Sequence, residues 1–267
     1  MKLIFVRHGD PDYENDSLTE KGFREAELLS RRISKWNVTD FYTSPLGRAK
    51  ATALPTLNKM NREAKVLDFT REFSYFVDDP ITGRHGVPWD FVPSFWSNDS
   101  LMYEKENWVN AEVFKQNSDI PFKYKEVCSK LDELLASYGY IRENNIYRMP
   151  EKEEVFIKAT LAPGETLKQI TSSSKSNTVT NDEEPVIVIF CHLGAICIML
   201  SHLLNIPFPL LVHGFFLPPT SLTILCTEER WSNEAYFRVQ TMGDTTHLHL
   251  GGEPLSSAGY FTEVFPG

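Results

Sequence analysis

The sequence contains few cysteines, and their spacing does not suggest a covalent or metal-bound framework. Only four of the 267 residues are cysteines. Cys128, Cys191, Cys197 and Cys226 lie in apolar or helical surroundings, without the paired spacing of a zinc site. We therefore expect buried free thiols in a reducing compartment, with no disulfides and no structural metal.

Long hydrophobic runs and an excess of positive charge are also absent. No apolar run approaches the roughly 18 residues that indicate a membrane span. The first run, Leu3 to Val6, is too short for the core of a signal peptide. The formal net charge is −9, with 27 basic against 36 acidic side chains, which argues against nucleic-acid or anionic-membrane partners. These observations predict a cytoplasmic protein.

Strand and helix patterns alternate along the first part of the chain. "LIFV" predicts a strand buried on both faces, and Thr19 is a suitable N-cap for the helical pattern that follows to Trp36. "DFYT" predicts the next strand. In "SPLGRAKATA", Ser44 can cap a helix with Pro45 at its first position, and Pro55 is expected to end or kink that helix.

The same alternation continues later in the chain. "AKVLDF" predicts a third strand, "VIVIF" is the strongest strand pattern, and "LGAICIMLSHLLNI" predicts a buried helix. "SLTILCT" and "AYFRVQTMG" predict a closing pair of strands. The order predicts an α/β fold, a doubly wound and mainly parallel sheet with flanking helices, formed by one domain over residues 1–267.

Two segments do not follow the alternation. Residues 73–121 contain many aromatic side chains among prolines and acidic residues, which predicts an irregular cap inserted after the third strand. Residues 172–185 are polar and lack periodicity, which predicts a mobile surface loop.

Polar side chains follow four of the predicted strands, where a doubly wound sheet binds its ligands. They are Arg7 and His8 after the first strand, Ser44 and Arg48 after the second, Glu72 after the third, and His192 after "VIVIF". A strand ending Arg-His-Gly can present an imidazole while Gly9 lets the backbone turn and approach a ligand closely. Taken alone, the tripeptide is explained equally well by a structural role, with Arg7 in a salt bridge and His8 in a buried hydrogen bond, as by a role in ligand binding.

Arg48 and His192 stand at positions that a purely structural role does not favour. In the first turn of a helix, Arg48 opposes the positive end of the helix dipole, and an anion bound there would reverse the effect. His192 places a titratable group between a very apolar strand and a buried helix. Individually, a solvated arginine and a core histidine bonded to the backbone are the commoner cases.

Together these motifs resemble the histidine phosphatase superfamily, also called the phosphoglycerate-mutase-like family. The matching segments, in the family's order, are "RHG" at 7–9, "LTEKG" at 18–22, "TSPLGRAKATA" at 43–53, "REF" at 71–73 and "FCHLGA" at 190–195. "PWDFVP", "PPTSLTIL" and "GDTTHL" resemble a bacterial phosphatase branch. The resemblance implies a phosphoglycerate-mutase-like fold and phosphate-ester chemistry on a small molecule.

The resemblance also implies a role for each site residue. His8 would be the nucleophile that accepts the phosphoryl group, and Arg7, Arg48 and His192 would form the phosphate pocket. Glu72 would donate a proton to the leaving group. Because the family varies the position of its acid, four nearby carboxylates are alternatives: Asp10, Asp12, Asp78 and Asp79. Two arginines and a second histidine can stabilise the transferring group without a metal ion or cofactor.

The cap should select the organic part of the substrate. Its aromatic residues are too irregularly spaced for one amphipathic helix, so some of them should line a wall above the crevice, with Trp89 and Phe91 as candidates. Apolar or planar phosphomonoesters should then be better substrates than phosphoglycerates. The alternative is that these side chains form the cap's own small core.

Three other functions compete with phosphomonoester hydrolysis. A phosphoglycerate mutase shares the fold, but "DPDYEND" follows Gly9 where mutases commonly have Glu-Ser or Glu-Thr. A metallohydrolase could use His247 and His249 on one face of a possible strand, with Asp244 nearby, although no third ligand has a diagnostic spacing. A non-catalytic binding protein could retain the fold, but the intact arginines and histidines count against it.

Overall fold

A computed structural model describes residues 1–150, 184–231 and 233–265. Its strands are β1 (Lys2–Arg7), β2 (Pro11–Asp12), β3 (Ser17–Leu18), β4 (Asp40–Thr43), β5 (Ala64–Val66), β6 (Val77–Asp78), β7 (His85–Gly86), β8 (Ile141–Glu143), β9 (Ile146–Arg148), β10 (Val186–Cys191), β11 (Leu222–Trp231) and β12 (Glu234–Asp244). Its α-helices are α1 (Glu20–Ile33), α2 (Gly47–Met60), α3 (Pro93–Asn98), α4 (Asp119–Ala136), α5 (Leu193–Leu204), α6 (Phe208–Gly214) and α7 (Thr246–Gly251).

Eight strands form one sheet in the order β5-β4-β10-β1-β11-β12-β9-β8. The first four strands are parallel, and β11 and the strands beyond it pair antiparallel with their neighbours. The predicted α/β class with a large central sheet and flanking helices is confirmed, and β5, β4, β10 and β1 form its parallel part. Parallel β1, β10 and β4 therefore deliver the residues after their carboxyl ends to one edge of the sheet.

Alternate residues of β1 belong to two hydrophobic clusters on opposite faces of the sheet. Leu3 and Phe5 pack in the cluster that contains Ile196 of α5. Ile4 and Val6 pack in the cluster that contains Leu29 of α1 and other buried residues of α1 and α2. Burial on both faces explains why this strand is a continuous apolar run.

The starts of the two helices beside β1 test the capping predictions. Thr19 caps α1 as predicted, and its Oγ1 accepts a hydrogen bond from the backbone N of Gly22 at 3.1 Å. The predicted start of α2 is wrong: the helix begins at Gly47, and Ser44 and Pro45 precede it. Pro55 does not end this helix either, because α2 continues to Met60. Packing of its buried face against α1 outweighs the one hydrogen bond that proline removes.

Residues 73–118 form short 3₁₀ helices, the β6–β7 hairpin and the six-residue helix α3, and regular helix resumes at Asp119 of α4. Aromatic side chains of this segment pack around Phe208 of α6: Phe73, Trp89 and Trp108 lie with ring centroids 4.9–5.6 Å from it. The segment is therefore attached to the α5–α6 side of the sheet.

Two further sequence predictions concern the polar loop at 172–185 and the absence of membrane spans. Residues 172–183 of the predicted mobile loop lie outside the described residues. Within the described ranges, no helix combines the length and apolarity that crossing a bilayer requires.

Candidate active site

The backbone after β1 is fixed by neighbouring strands and by α2. The amide of His8 donates to the Cys191 carbonyl at 2.9 Å, and the amide of Gly9 donates to Thr52 Oγ1 at 2.9 Å. A Cβ atom at position 9 would lie 2.9 Å from the Gly22 carbonyl oxygen. Gly9 is therefore needed for close packing against the start of α1, a different reason from the close approach to a ligand that the sequence suggested.

His8 is buried and held in one tautomer. Its Nδ1 lies 2.7 Å from the Gly9 carbonyl oxygen, and since a carbonyl only accepts, Nδ1 carries the proton. Burial and then the Arg7 charge lower the pKa of His8 to about 3. At neutral pH the imidazole is uncharged, and Nε2 carries a lone pair.

His192 lies beside His8 at the end of β10. The two ring centroids are 5.1 Å apart, and His192 Nε2 is 2.8 Å from Ser44 Oγ. Burial, followed by the electrostatic interaction with His8 and the charge of Arg48, holds the pKa of His192 well below its usual range. Its Nδ1 is buried and has no hydrogen-bond partner among the described residues.

The two arginines approach these histidines from different elements. Arg7 donates from Nη1 to the Leu217 carbonyl at 2.6 Å and from Nη2 to the Ala258 carbonyl at 2.8 Å. Arg48 lies in the first turn of α2, as predicted, and its charge lowers the pKa of both His8 and His192. The Nε atoms of both arginines are buried without a partner in the described part of the chain. Buried donors of this kind suit an anionic ligand.

Glu72 completes the cluster from the segment after β5. Its Oε1 accepts hydrogen bonds from the backbone amides of Phe73 at 2.8 Å and Gly194 at 2.9 Å. One ligand atom from each of His8, Glu72 and His192 lies within 4.8 Å of the others. The structure thus brings together all five residues that the resemblance selected: Arg7, His8, Arg48, Glu72 and His192.

Two imidazole nitrogens and a carboxylate oxygen form the kind of donor set that can hold a metal ion. Within the described ranges, no other group of three or more His, Cys, Asp or Glu ligand atoms is this compact. The adjacent charges of Arg7 and Arg48 disfavour a cation and favour an anion. The electrostatics of this cluster therefore fit phosphate better than a metal.

The four alternative carboxylates are held in other hydrogen bonds. Asp10 accepts from Thr19 and Ser256, Asp12 from Asn15, Asp78 lies 2.8 Å from the exposed His85, and Asp79 accepts from Ile81 and Thr82 within a turn. None of them shares the cluster with His8 and His192.

The residues of the metallohydrolase alternative do not converge. "HLHLGG" belongs to helix α7, so the predicted strand is wrong. His247 is buried with Nε2 3.1 Å from Thr220 Oγ1, His249 is exposed, and Asp244 pairs with Arg32.

The two substrate-cap candidates have different surroundings. Trp89 is half-buried and stacks on Phe73, the residue after Glu72, with centroids 5.6 Å apart; its indole N donates to the Phe73 carbonyl at 3.2 Å. Phe91 is only 7% exposed and packs against Phe95. Phe91 also lines a cavity of about 200 Å³ with Asp79, Arg84 and Asp90.

Sequence reasoning missed three polar contacts at the site. Thr52 accepts a hydrogen bond from the Gly9 amide, and Asp16 binds the start of α2. Ser44, which the sequence placed at this edge as a helix cap, contacts His192. Thr52 follows Arg48 by one helical turn, a spacing that could have suggested a shared face. Asp16 offered no such signal, because its partners lie about thirty residues away along the chain.

Comparisons with known proteins identify similar sequences and folds. Residues 3–82 match the family model of the histidine phosphatase superfamily (branch 1). The 2,3-bisphosphoglycerate-dependent phosphoglycerate mutase of Thermoplasma acidophilum is 34% identical over 74 residues, an alignment that covers 24% of this chain and only 37% of the mutase.

Two solved structures share the fold over nearly their whole length. The phosphoserine phosphatase of Entamoeba histolytica, solved with 3-phosphoglyceric acid, has a TM-score of 0.54 at 19% identity and covers 92% of this chain and 98% of that one. A mycobacterial glucosyl-3-phosphoglycerate phosphatase has a TM-score of 0.53 at 15% identity, covering 91% and 98%. This chain is thus similar to the histidine phosphatase superfamily in sequence over residues 3–82, and it shares the fold of these two phosphatases.

Proposed function

We propose that this protein hydrolyses phosphomonoesters of small organic molecules through a phosphohistidine on His8, without a metal ion or cofactor. The observation that carries the proposal is the state of His8. Its Nδ1 proton is engaged by the Gly9 carbonyl, and its pKa of about 3 keeps the ring neutral, so the Nε2 lone pair is available beside two arginines. A neutral imidazole is an effective nucleophile toward phosphorus at neutral pH.

In the first step, Nε2 of His8 attacks phosphorus. The N–P bond forms while the P–O bond to the organic group breaks. Arg7, Arg48 and His192 bind the equatorial oxygens, where charge is spread in the transition state. Glu72 passes a proton from Oε2 to the departing oxygen, since Oε1 is occupied by two amides.

In the second step, water attacks the phosphohistidine. The Glu72 carboxylate takes a proton from the water as its oxygen bonds to phosphorus. The N–P bond breaks, and its electron pair returns to His8 Nε2. Orthophosphate is released, and His8 is again neutral.

Transfer of the phosphoryl group to a second substrate, as in a mutase, is the alternative. Hydrolysis is favoured by the "DPDYEND" segment after Gly9, which differs from the Glu-Ser or Glu-Thr common in mutases. Both fold neighbours described above carry phosphatase names. We extend to this chain only their shared substrate class, a small organic phosphate.

Phosphoenzyme trapping tests the proposal. Brief incubation with ³²P-labelled phosphomonoester, an acid quench that avoids prolonged exposure, and peptide mapping should place label on His8. His8→Ala should abolish the label, whereas His249→Ala, which changes an exposed histidine of α7, should retain it. Label that persists in His8→Ala would reject the mechanism. Label transferred to an added phosphoglycerate instead of to water would establish a mutase.

A further inference from the structure

The loop between β2 and β3 brings Asp16 against the first turn of α2. Asp16 Oδ2 accepts a hydrogen bond from the Gly47 amide at 2.6 Å, and Oδ1 accepts one from Arg48 Nη1 at 2.7 Å. The Arg48 side chain is 10% exposed and that of Asp16 is 43% exposed. The anion that the sequence predicted at this helix terminus is therefore supplied, in this structure, by the chain itself.

The backbone conformation at Asp16 and the absence of a side chain at Gly47 both allow this contact. Asp16 has φ 46°, in the left-handed region that aspartate tolerates better than most residues. A Cβ atom at position 47 would lie 2.1 Å from the Asp16 carbonyl oxygen, so Gly47 is required for the loop to approach.

Asp16 occupies only one side of the guanidinium group. Nη1 is bound by Asp16, and the Tyr13 ring from the same loop lies 5.5 Å from the guanidinium carbon. In arginine, the Nε and Nη2 hydrogens form a separate edge that can bind two oxygens of a phosphate. Arg48 Nε is buried and has no partner in the described part of the chain, so this edge remains for a ligand.

We propose that Asp16 is a positioning residue that fixes Arg48 with its Nε–Nη2 edge presented to the phosphoryl group. The role rests on the proposed function, because it requires Arg48 to bind phosphate. Asp16 acts through Arg48 and does not itself touch the substrate. Without it, the long arginine side chain has more rotamers to lose when phosphate binds, and phosphate affinity falls.

The test measures competitive inhibition by orthophosphate, with p-nitrophenyl phosphate as substrate. The inhibition constant reports only on folded, active molecules. A loss of folded protein would therefore lower the apparent kcat and leave the inhibition constant unchanged. Asp16→Ala should raise the inhibition constant and KM about tenfold, the size expected for losing one well-placed charge-assisted contact. Asp16→Asn keeps one acceptor oxygen and should give a smaller increase.

Two controls separate positioning from a general effect of charge. Glu14→Ala removes the same charge from an exposed position of the same loop and should leave both constants unchanged. In an Arg48→Ala background, Asp16→Ala should add no further increase, because the effect passes through Arg48.

Other outcomes would overturn the inference. A lower inhibition constant in Asp16→Ala would mean that Asp16 competes with phosphate. An equal increase in the Arg48→Ala background would mean that Asp16 acts elsewhere, and an unchanged constant with reduced kcat would make it a purely structural residue. If unaltered protein forms no phosphoenzyme and orthophosphate does not inhibit it, the proposed function fails and this role fails with it.

Discussion

Glu72 is the residue whose hydrogen bonds best define its chemical role. Two backbone amides hold Oε1, so the carboxyl group is oriented, and in the proposed mechanism Oε2 exchanges the proton. Glutamine has the same shape and can keep its oxygen on both amides, but its amide nitrogen cannot serve as an acid.

Glu72→Gln should therefore lower turnover by roughly 10² to 10⁴ for alkyl phosphates, the usual contribution of general acid catalysis. p-Nitrophenyl phosphate should lose less in the first step, because its leaving group needs no proton. The measurement is the ratio of kcat/KM values for the two substrates.

Asp10→Asn serves as the comparison, since Asp10 is the alternative acid nearest to His8 in sequence and is bonded to Thr19 and Ser256. Its kcat/KM ratio should stay unchanged. If Asp10→Asn showed the leaving-group dependence and Glu72→Gln did not, Asp10 would be the acid.

At the scale of elements, the parallel part of the fold follows directly from local patterns. β1, β10 and α5 are apolar enough to require burial, and Thr19 is a local capping signal, so these predictions are confirmed. The polar residues at the strand ends converge because parallel strands share an edge.

Two predictions, the start of α2 and its end at Pro55, fail because of contacts between distant segments. Asp16 accepts a hydrogen bond from the Gly47 amide at the start of α2, whereas local reasoning made Ser44 the cap of this helix. Pro55 stays within α2 because α1 packs against that helix. The alternating "HLHL" is too short to distinguish strand from helix, and Asp244 accepts the Thr246 amide to start α7.

The segment at 73–121 gives an element-scale prediction about substrate choice. Trp89 contacts the residue next to Glu72, so we propose that it helps select the organic group, with Phe91 as the second candidate. Trp89→Ala should change the ranking of aryl, alkyl and glycerate phosphates by kcat/KM. Inhibition by orthophosphate should stay nearly constant, because the phosphate donors lie elsewhere.

Phe91→Ala gives the corresponding test for a more deeply buried position. Its 7% exposure predicts a loss of about 3–5 kcal/mol of stability, the usual cost of such a truncation. A changed substrate ranking would assign the cavity at Phe91 to substrate binding.

Equal losses for every substrate in Trp89→Ala, with weaker orthophosphate inhibition, would instead make Trp89 a support for the fold.

At the scale of the whole molecule, a chain of net charge −9 concentrates cations in one pocket. In the proposed mechanism Arg7 and Arg48 supply the charge that a divalent ion provides in other phosphatases, so activity should survive exhaustive chelation. Hydrolysis after EDTA dialysis, with and without added Zn²⁺ or Mn²⁺, checks this. Complete loss restored by either metal would contradict the proposed mechanism.

Buried histidines should make the folded protein sensitive to mild acid. Burial lowers the pKa of His8 to about 3 and of His213 and His247 to about 4, and that of His192 is lowered too. As pH falls below about 6.5, these histidines become protonated in the unfolded chain but stay neutral in the native protein. The free energy of unfolding therefore falls until the native histidines also titrate near 4. Glu25 acts in the opposite sense, because burial raises its pKa to about 7 and the native state binds that proton first.

Four histidines against one glutamate leave a net loss of stability between about pH 6.5 and 5, where most other carboxylates do not yet titrate. Each unopposed histidine contributes up to about 1.4 kcal/mol per pH unit. Urea unfolding followed by tryptophan fluorescence at pH 7, 6 and 5 should show this fall.

His247→Gln can still donate a hydrogen bond to Thr220 but cannot be protonated, so it should reduce the slope of stability against pH by the contribution of one group. His249→Gln, at an exposed position of the same helix, should leave the slope unchanged. A flat stability between pH 7 and 5 would show that the imidazoles are accessible to protons in the native protein, and would remove the basis for a neutral His8.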